Sequence, residues 1–140
     1  MLHLTKLAVG IRDIAHLRAV QAQRAASNPP LRHLTRMFPK RAAEVVAGGS
    51  IYWVVAGAVL VRQRVLDVVA GTYEDGTRCA GLMLDPELVP VLGRPCKPFQ
   101  GWRYLEADQA PPDLVEGEPA SGEDGMPAAL RQRLRELCLL

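Results

Sequence analysis

Three short runs in this chain carry side chains with chemistry to offer. The first, Gly48-Gly49-Ser50, places two glycines before a hydroxyl. Glycines let a backbone approach a ligand closely, and successive free amides can hold an anion. The run lacks the Gly-x-Ser-x-Gly elbow, the Lys-Ser/Thr ending of a phosphate loop and the spacing of a dinucleotide fingerprint, so a helix stop feeding a strand explains it more simply. The second is Arg62-Gln63-Arg64. In a strand, Arg62 and Arg64 share one face about 6–7 Å apart, while Gln63 joins Val61 and Val65 on the other. Two adjacent guanidiniums can bind carboxylate or phosphate, or can pair with acids elsewhere in the fold, and a buried Gln63 must find hydrogen-bond partners. The third, Gln100-Gly101-Trp102-Arg103-Tyr104, interleaves rings with a cation and an amide. That chemistry stacks and orients an unpaired base, with Trp53 and Tyr52 as further rings, although aromatics at strand spacing also serve as core.

Other reactive types form no set. His3, His16 and His33 show no ligand spacing with one another or with Cys79, Cys96 and Cys138, so no metal and no cofactor is expected. The cysteines are odd in number and widely spaced, which predicts free thiols. Ser50, Cys79 and Asp67 do not assemble into a nucleophile, base and orienter on any pattern in the sequence.

The elements that must position these groups follow from periodicity and breakers. Leu2 to Val9 alternates as a half-buried strand stopped by Gly10. Ile11 to Ala26 is rich in helix formers, with Ile11, Ile14, Ala15, Ala22 and Ala25 on one face interrupted by Arg18, and Asn28-Pro29-Pro30 ends it. Leu31 to Met37 reads as a short strand, and Pro39 to Ala47 as a short helix closed by Gly48-Gly49. Ile51 to Val69 is the most β-prone region, as two strands or one bent at Gly57. The Asp75-Gly76 turn makes residues 58–84 a hairpin. Asp85-Pro86-Glu87 reads as a turn, Val89 to Leu92 as an edge strand at best, Arg94 to Pro98 as a connection, and Gln100 to Leu105 as a strand at the sheet's edge. Residues 107–125, rich in Pro, Gly and acids, read as an exposed mobile linker, and residues 126–140 as a helix with Leu130, Leu134 and Leu137 on one stripe.

The 140 residues fit one domain, with a globular core over 1–106, and 49% hydrophobic against 23% charged residues is an ordinary globular balance. Neither a membrane span nor a secretory signal is visible, so a cytoplasmic protein is expected. The net charge of +2 conceals a split: residues 1–64 carry ten Lys/Arg against Asp13 and Glu44, and residues 65–140 carry seven against thirteen acids. Such a split marks either an anion-binding face or charges that pair across the fold. Strands gathered between helices predict an α+β fold, a small and strongly curved, mainly antiparallel sheet or partial β-barrel with flanking helices.

Arg36, Pro39-Lys40-Arg41-Ala42-Ala43-Glu44, Gly48 to Val54, Arg62-Gln63-Arg64, Leu84 to Leu88 and Phe99 to Leu105 together resemble the bacterial domain-of-unknown-function family 1489, which implies no activity, cofactor or catalytic residue. The order of helix, basic segment, Gly-rich turn and curved strands is also similar in architecture to the PUA-like barrels, a resemblance that implies RNA or modified bases as ligands. The leading expectation is a non-catalytic nucleic-acid-binding module, for RNA. Its candidate contacts are Lys40, Arg41, Ser50, Trp53, Arg62, Arg64, Gln100, Trp102 and Arg103, with arginines on phosphates and Trp53 or Trp102 stacking a base. The alternatives are a protein–protein or homodimeric module using the C-terminal leucine stripe, and an enzyme acting on a small anionic substrate.

Overall fold

Alternation from Leu2 sets the first strand, β1 (Leu2–Leu7), and Gly10 ends the run that follows it. The computed structural model describes residues 1–114. Asp13 caps α1 (Ile14–Ser27) by accepting from the His16 amide at 2.7 Å. The helix buries Leu17 and Gln21 rather than the predicted alanine face, and Ala15 and Ala22 are exposed. Alanine has too little side chain to decide which stripe turns inward, and Leu17 decides it. Then come β2 (Arg32–Thr35), α2 (Ala42–Val46) and β3 (Ser50–Val55), the last buried along its whole length.

Ala56 and Gly57, with φ of 51° and 87°, turn the chain from β3 into β4 (Ala58–Thr72). Positive φ at both central positions matches a hairpin turn to the strand twist, so there are two strands here and not one bent strand. The Asp75-Gly76 turn leads into β5 (Arg78–Pro95), which pairs antiparallel with β4 from Thr72↔Arg78 to Ala58↔Pro95.

Asp85-Pro86-Glu87, Val89 to Leu92 and Arg94-Pro95 are neither turn, separate edge strand nor connection, but one continuous strand. The neighbours explain how it tolerates Pro86, Pro90 and Pro95. β2 covers β5 only over Ala80 to Met83, so the prolines lie where one edge of β5 has no ladder to lose.

β6 (Trp102–Glu106) completes a six-stranded mixed sheet in the order β2-β5-β4-β3-β1-β6. All ladders are antiparallel except β1 with β3. The fold is α+β, as the element order predicts. The register shifts three times between β4 and β5, and bulges of that kind bend strands and steepen twist. The curvature has a direct measure. Three strand steps, about 14 Å in a flat sheet, separate β2 from β3, yet the rings of His33 and Trp53 stand 5.2 Å apart. The sheet therefore curls over its α1 face, but β2 and β6 do not pair with each other, so it does not close into a barrel.

The concave face carries the larger core, including Leu4, Leu17, Ile51, Val61, Val65, Leu82 and Leu84. The convex face has a smaller one around Tyr52, Val54, Val59, Val91 and Leu105. Residues 107–114 are not the start of a free linker. After a 3-10 turn (Ala107–Gln109), the chain buries Pro111, bridges Asp113 to Val91, and exchanges backbone bonds with Leu92 and Pro90. Few apolar residues are needed to hold it there, because Pro111 and the open edge of β5 supply the contacts that composition alone does not reveal. The remainder of the acidic segment, the predicted C-terminal helix and Cys138 lie outside the described residues. Among the described residues, no helix is long and apolar enough to cross a membrane.

Candidate functional site

Strand alternation on β1 places Lys6 in phase with Leu2 and Leu4, facing α1. In register, Lys6 sits beside Trp53 of β3 on one side and Trp102 of β6 on the other. His33, brought over by the curl, meets the Trp53 ring edge-on at 86°. α1 closes the space from above with Leu17, Gln21 and Arg24. The result is a partly open cavity of about 180 Å³ with Lys6, Arg24, Arg32 and His33 among its polar lining and Leu7, Leu31 and Leu84 among its apolar walls. A more open hollow beside Ser27 and Asn28 shares Arg24, Arg32 and His33 with it. No aspartate or glutamate lines either space.

The electrostatics are one-sided. Burial, then Lys6, then Arg24 push the His33 ring down to about 4, so it is neutral near pH 7. Burial also lowers the Lys6 ammonium. His33 Nε2 is shielded from solvent and has no hydrogen-bond partner among the described residues. The cavity thus combines a buried ring nitrogen without a partner, nearby cations and no carboxylate, which leaves its lining positive and one polar group unused.

Beneath this cavity lies a closed amide network. Gln63 Oε1 accepts from Gln21 Nε2 at 2.9 Å and from Trp53 Nε1 at 3.0 Å. Its Nε2 donates to Gln21 Oε1 and to the Asp85 carbonyl, both at 2.7 Å. Every donor and acceptor of Gln63 is used, as its burial on the Val61/Val65 face demands. The network locks the Trp53 indole as a wall of the cavity.

The residues singled out in the sequence are scattered. Trp53 is only 3% exposed, so it offers no open face on which a base could stack. Ser50, Arg62 and Arg64 share the convex face, where Arg62 pairs with Asp113 and Arg64 donates to the Val46 carbonyl at 3.1 Å. Arg41 and Trp102 both lie against Tyr104 at the β6 edge of the concave face. There Arg41 pairs with Glu44 and Glu106 and lies over the Tyr104 ring, while Trp102 Nε1 donates to the Met37 carbonyl at 2.8 Å. Arg103 stacks over Phe99 at 4.5 Å, and Lys40 and Gln100 are exposed. These groups do not form one basic face. The cations of the cavity, Lys6, Arg24 and Arg32, are not among the residues that sequence spacing singles out. The signal for Lys6 was there, in a cation falling on the apolar phase of β1.

Over residues 4–140 the chain matches the family described as protein of unknown function, DUF1489. It belongs to that family. No curated protein and no solved structure matches it. Among the described residues no group of His, Cys, Asp and Glu has an arrangement suited to a metal ion.

Proposed function

We propose that this chain is a binding module for a small anionic ligand, taken up in the cavity between α1, β1 and β2. The observation that carries the reading is the cavity's lining, with Lys6, Arg24 and Arg32 and no acid, beside a His33 ring nitrogen buried without a partner. An anion there gains two or three charge-assisted hydrogen bonds in a partly dry site, where each is worth more than at an open surface. An engineered apolar cavity of about 150 Å³ accepts benzene, so a space of this size suits one ring or a short chain with its charged group. RNA would engage the same groove through a terminal phosphate, with the outer hollow receiving the next unit.

The test follows the His33 ring by NMR while inorganic phosphate, and separately a short RNA oligomer, is added to the full chain. Phosphate should shift the ring signals and raise the His33 pKa, since an anion stabilises the imidazolium. Lys6→Met and Arg24→Gln should each weaken binding about tenfold, the cost of one charge-assisted contact. A His33 signal that ignores both probes in the folded protein would rule the cavity out. A response to RNA but not to phosphate would move the reading to nucleic acid.

A further inference from the structure

The convex face of the sheet holds a second polar assembly that the anion cavity does not use. His3, Ser50, Tyr52 and Arg62 line a depression of about 360 Å³ under Pro111, Pro112 and Asp113. His3 and Ser50 are buried, at 5% and 0% exposure, although both lie on the face opposite α1. The Ser50 amide donates to His3 Nδ1 at 2.9 Å, which leaves the proton of the neutral ring on Nε2. Arg62 donates to Ser50 Oγ at 3.1 Å, so the serine's own proton is free to point elsewhere. Tyr52 stands edge-on to His3 at 5.0 Å, with a phenol whose pKa burial pushes up further. The depression thus gathers donors, namely a guanidinium, a hydroxyl, an imidazole N–H and a phenol. One carboxylate answers them. Asp113 takes the Arg62 fork side-on, at 2.7 Å from Nε and 2.8 Å from Nη2.

We propose that this depression is a second oxyanion site, for a carboxylate or phosphate group, and that Asp113 is its built-in, displaceable occupant. The pair is within reach of solvent: the Asp113 and Arg62 side chains are 41% and 26% exposed, so an external anion can compete for the guanidinium. What separates the depression from an ordinary surface ion pair is the floor. An ion pair at a surface needs no buried serine and histidine oriented beneath it, whereas a site that must recognise an incoming oxyanion does. Asp113 arrives on a strap of eight residues, 107–114, held to β5 by the Leu92 amide on the Pro112 carbonyl and the Leu114 amide on the Pro90 carbonyl. Binding of an external anion therefore has a mechanical readout, because releasing Asp113 loosens those two bonds.

The test compares full-length wild type, Asp113→Asn and the double variant Asp113→Asn/Arg62→Gln. Each is titrated with sodium acetate and with inorganic phosphate at constant ionic strength, following the Ser50 amide and the His3 ring by NMR. Removing a tethered competitor raises affinity by the strength of its own contact, so Asp113→Asn should bind about tenfold tighter, the worth of one charge-assisted pair, and the double variant should lose the gain. In wild type the anion should also speed hydrogen exchange at the Leu92 and Leu114 amides. The two arms identify the preferred oxyanion. If folded Asp113→Asn binds neither ion better than wild type does, or if the gain survives Arg62→Gln, the proposal is overturned. Should Asp113→Asn prove unstable, the exchange measurement on wild type decides alone, and unchanged rates at Leu92 and Leu114 under saturating phosphate count against it. His33 lies on the opposite face of the sheet and reports the other cavity separately.

Discussion

At the scale of single residues, His33 gives the chain a pH dependence with a definite sign. Its ring is held at about 4 in the fold against an ordinary 6.5, so the unfolded chain takes up the proton first as pH falls. The stability contributed by the neutral ring is complete above pH 6.5, declines as pH drops, and is gone below about 4. A shift of this size corresponds to about 3 kcal/mol. Urea unfolding at pH 7.5 and pH 4.5 should show a loss of that order, and His33→Gln should flatten most of it. His3, also lowered by burial, leaves a smaller remnant of the same sign. The carboxyl of Asp113, held below its ordinary value by Arg62, acts only at still lower pH. Much of this scale was legible in part. Burial of Gln63 and its need for partners follow from alternation, but Gln21 lies 42 positions away and no local rule points to it. Trp53 read as a stacking ring because a strand pattern does not reveal which face will be roofed by a helix.

At the scale of elements, the junction of α2 with β3 is the least forgiving point. The Gly49 amide closes the end of α2 on the Val45 carbonyl at 2.7 Å, and the Gly49 carbonyl accepts from Val65 at 3.1 Å. A Cβ at Gly49 would lie 2.0 Å from the Leu2 carbonyl oxygen and 2.6 Å from that of Val45, both backbone atoms that cannot swing away. Gly49→Ala should therefore cost about 3 kcal/mol or more, in the range of severe overpacking, and abolish cooperative melting at moderate temperature. Gly10→Ala is the control. It meets open space and carries only the strain of a φ of 79°, about 1 kcal/mol. A thermal melt that ranks the two variants equally would contradict this account. The glycine pair was legible as a helix stop, and the β4–β5 hairpin as an Asp-Gly turn between apolar runs. The length of β5 was not, because proline reads as a breaker until one knows that β2 is too short to cover that edge.

For the whole molecule, the split of charge between the two halves resolves partly into pairing. Arg62 with Asp113 and Arg41 with Glu106 each join a cation of the first half to an acid of the second. Lys6, Arg24 and Arg32 are left to give the cavity its positive field. Thiol chemistry reads the same architecture. Cys79 is buried in β5 and Cys96 is half-buried just beyond its end, both free. A disulfide reagent added to the native protein should modify Cys96 quickly. Cys79 should react only at the rate of unfolding, and equally fast labelling of the two would mean that β5 opens locally. The α+β class was legible from element order, whereas the curl that brings His33 to Trp53 depends on bulges that the sequence does not announce.

The place of β1 in the sheet has a consequence for how the chain is made. Its two neighbours are β3 and β6, so one side of β1 waits for residues 102–106 before it is paired. At ordinary translation speeds, that edge stands open for roughly 5–20 s. An unpaired edge invites pairing with another growing chain, and lysine is a residue that discourages it. A chain stopped at residue 98 should scatter more light when Lys6 is replaced by Thr, a difference that should vanish once β6 is present. The cation that faces the cavity in the finished fold is, during synthesis, the guard of an exposed seam.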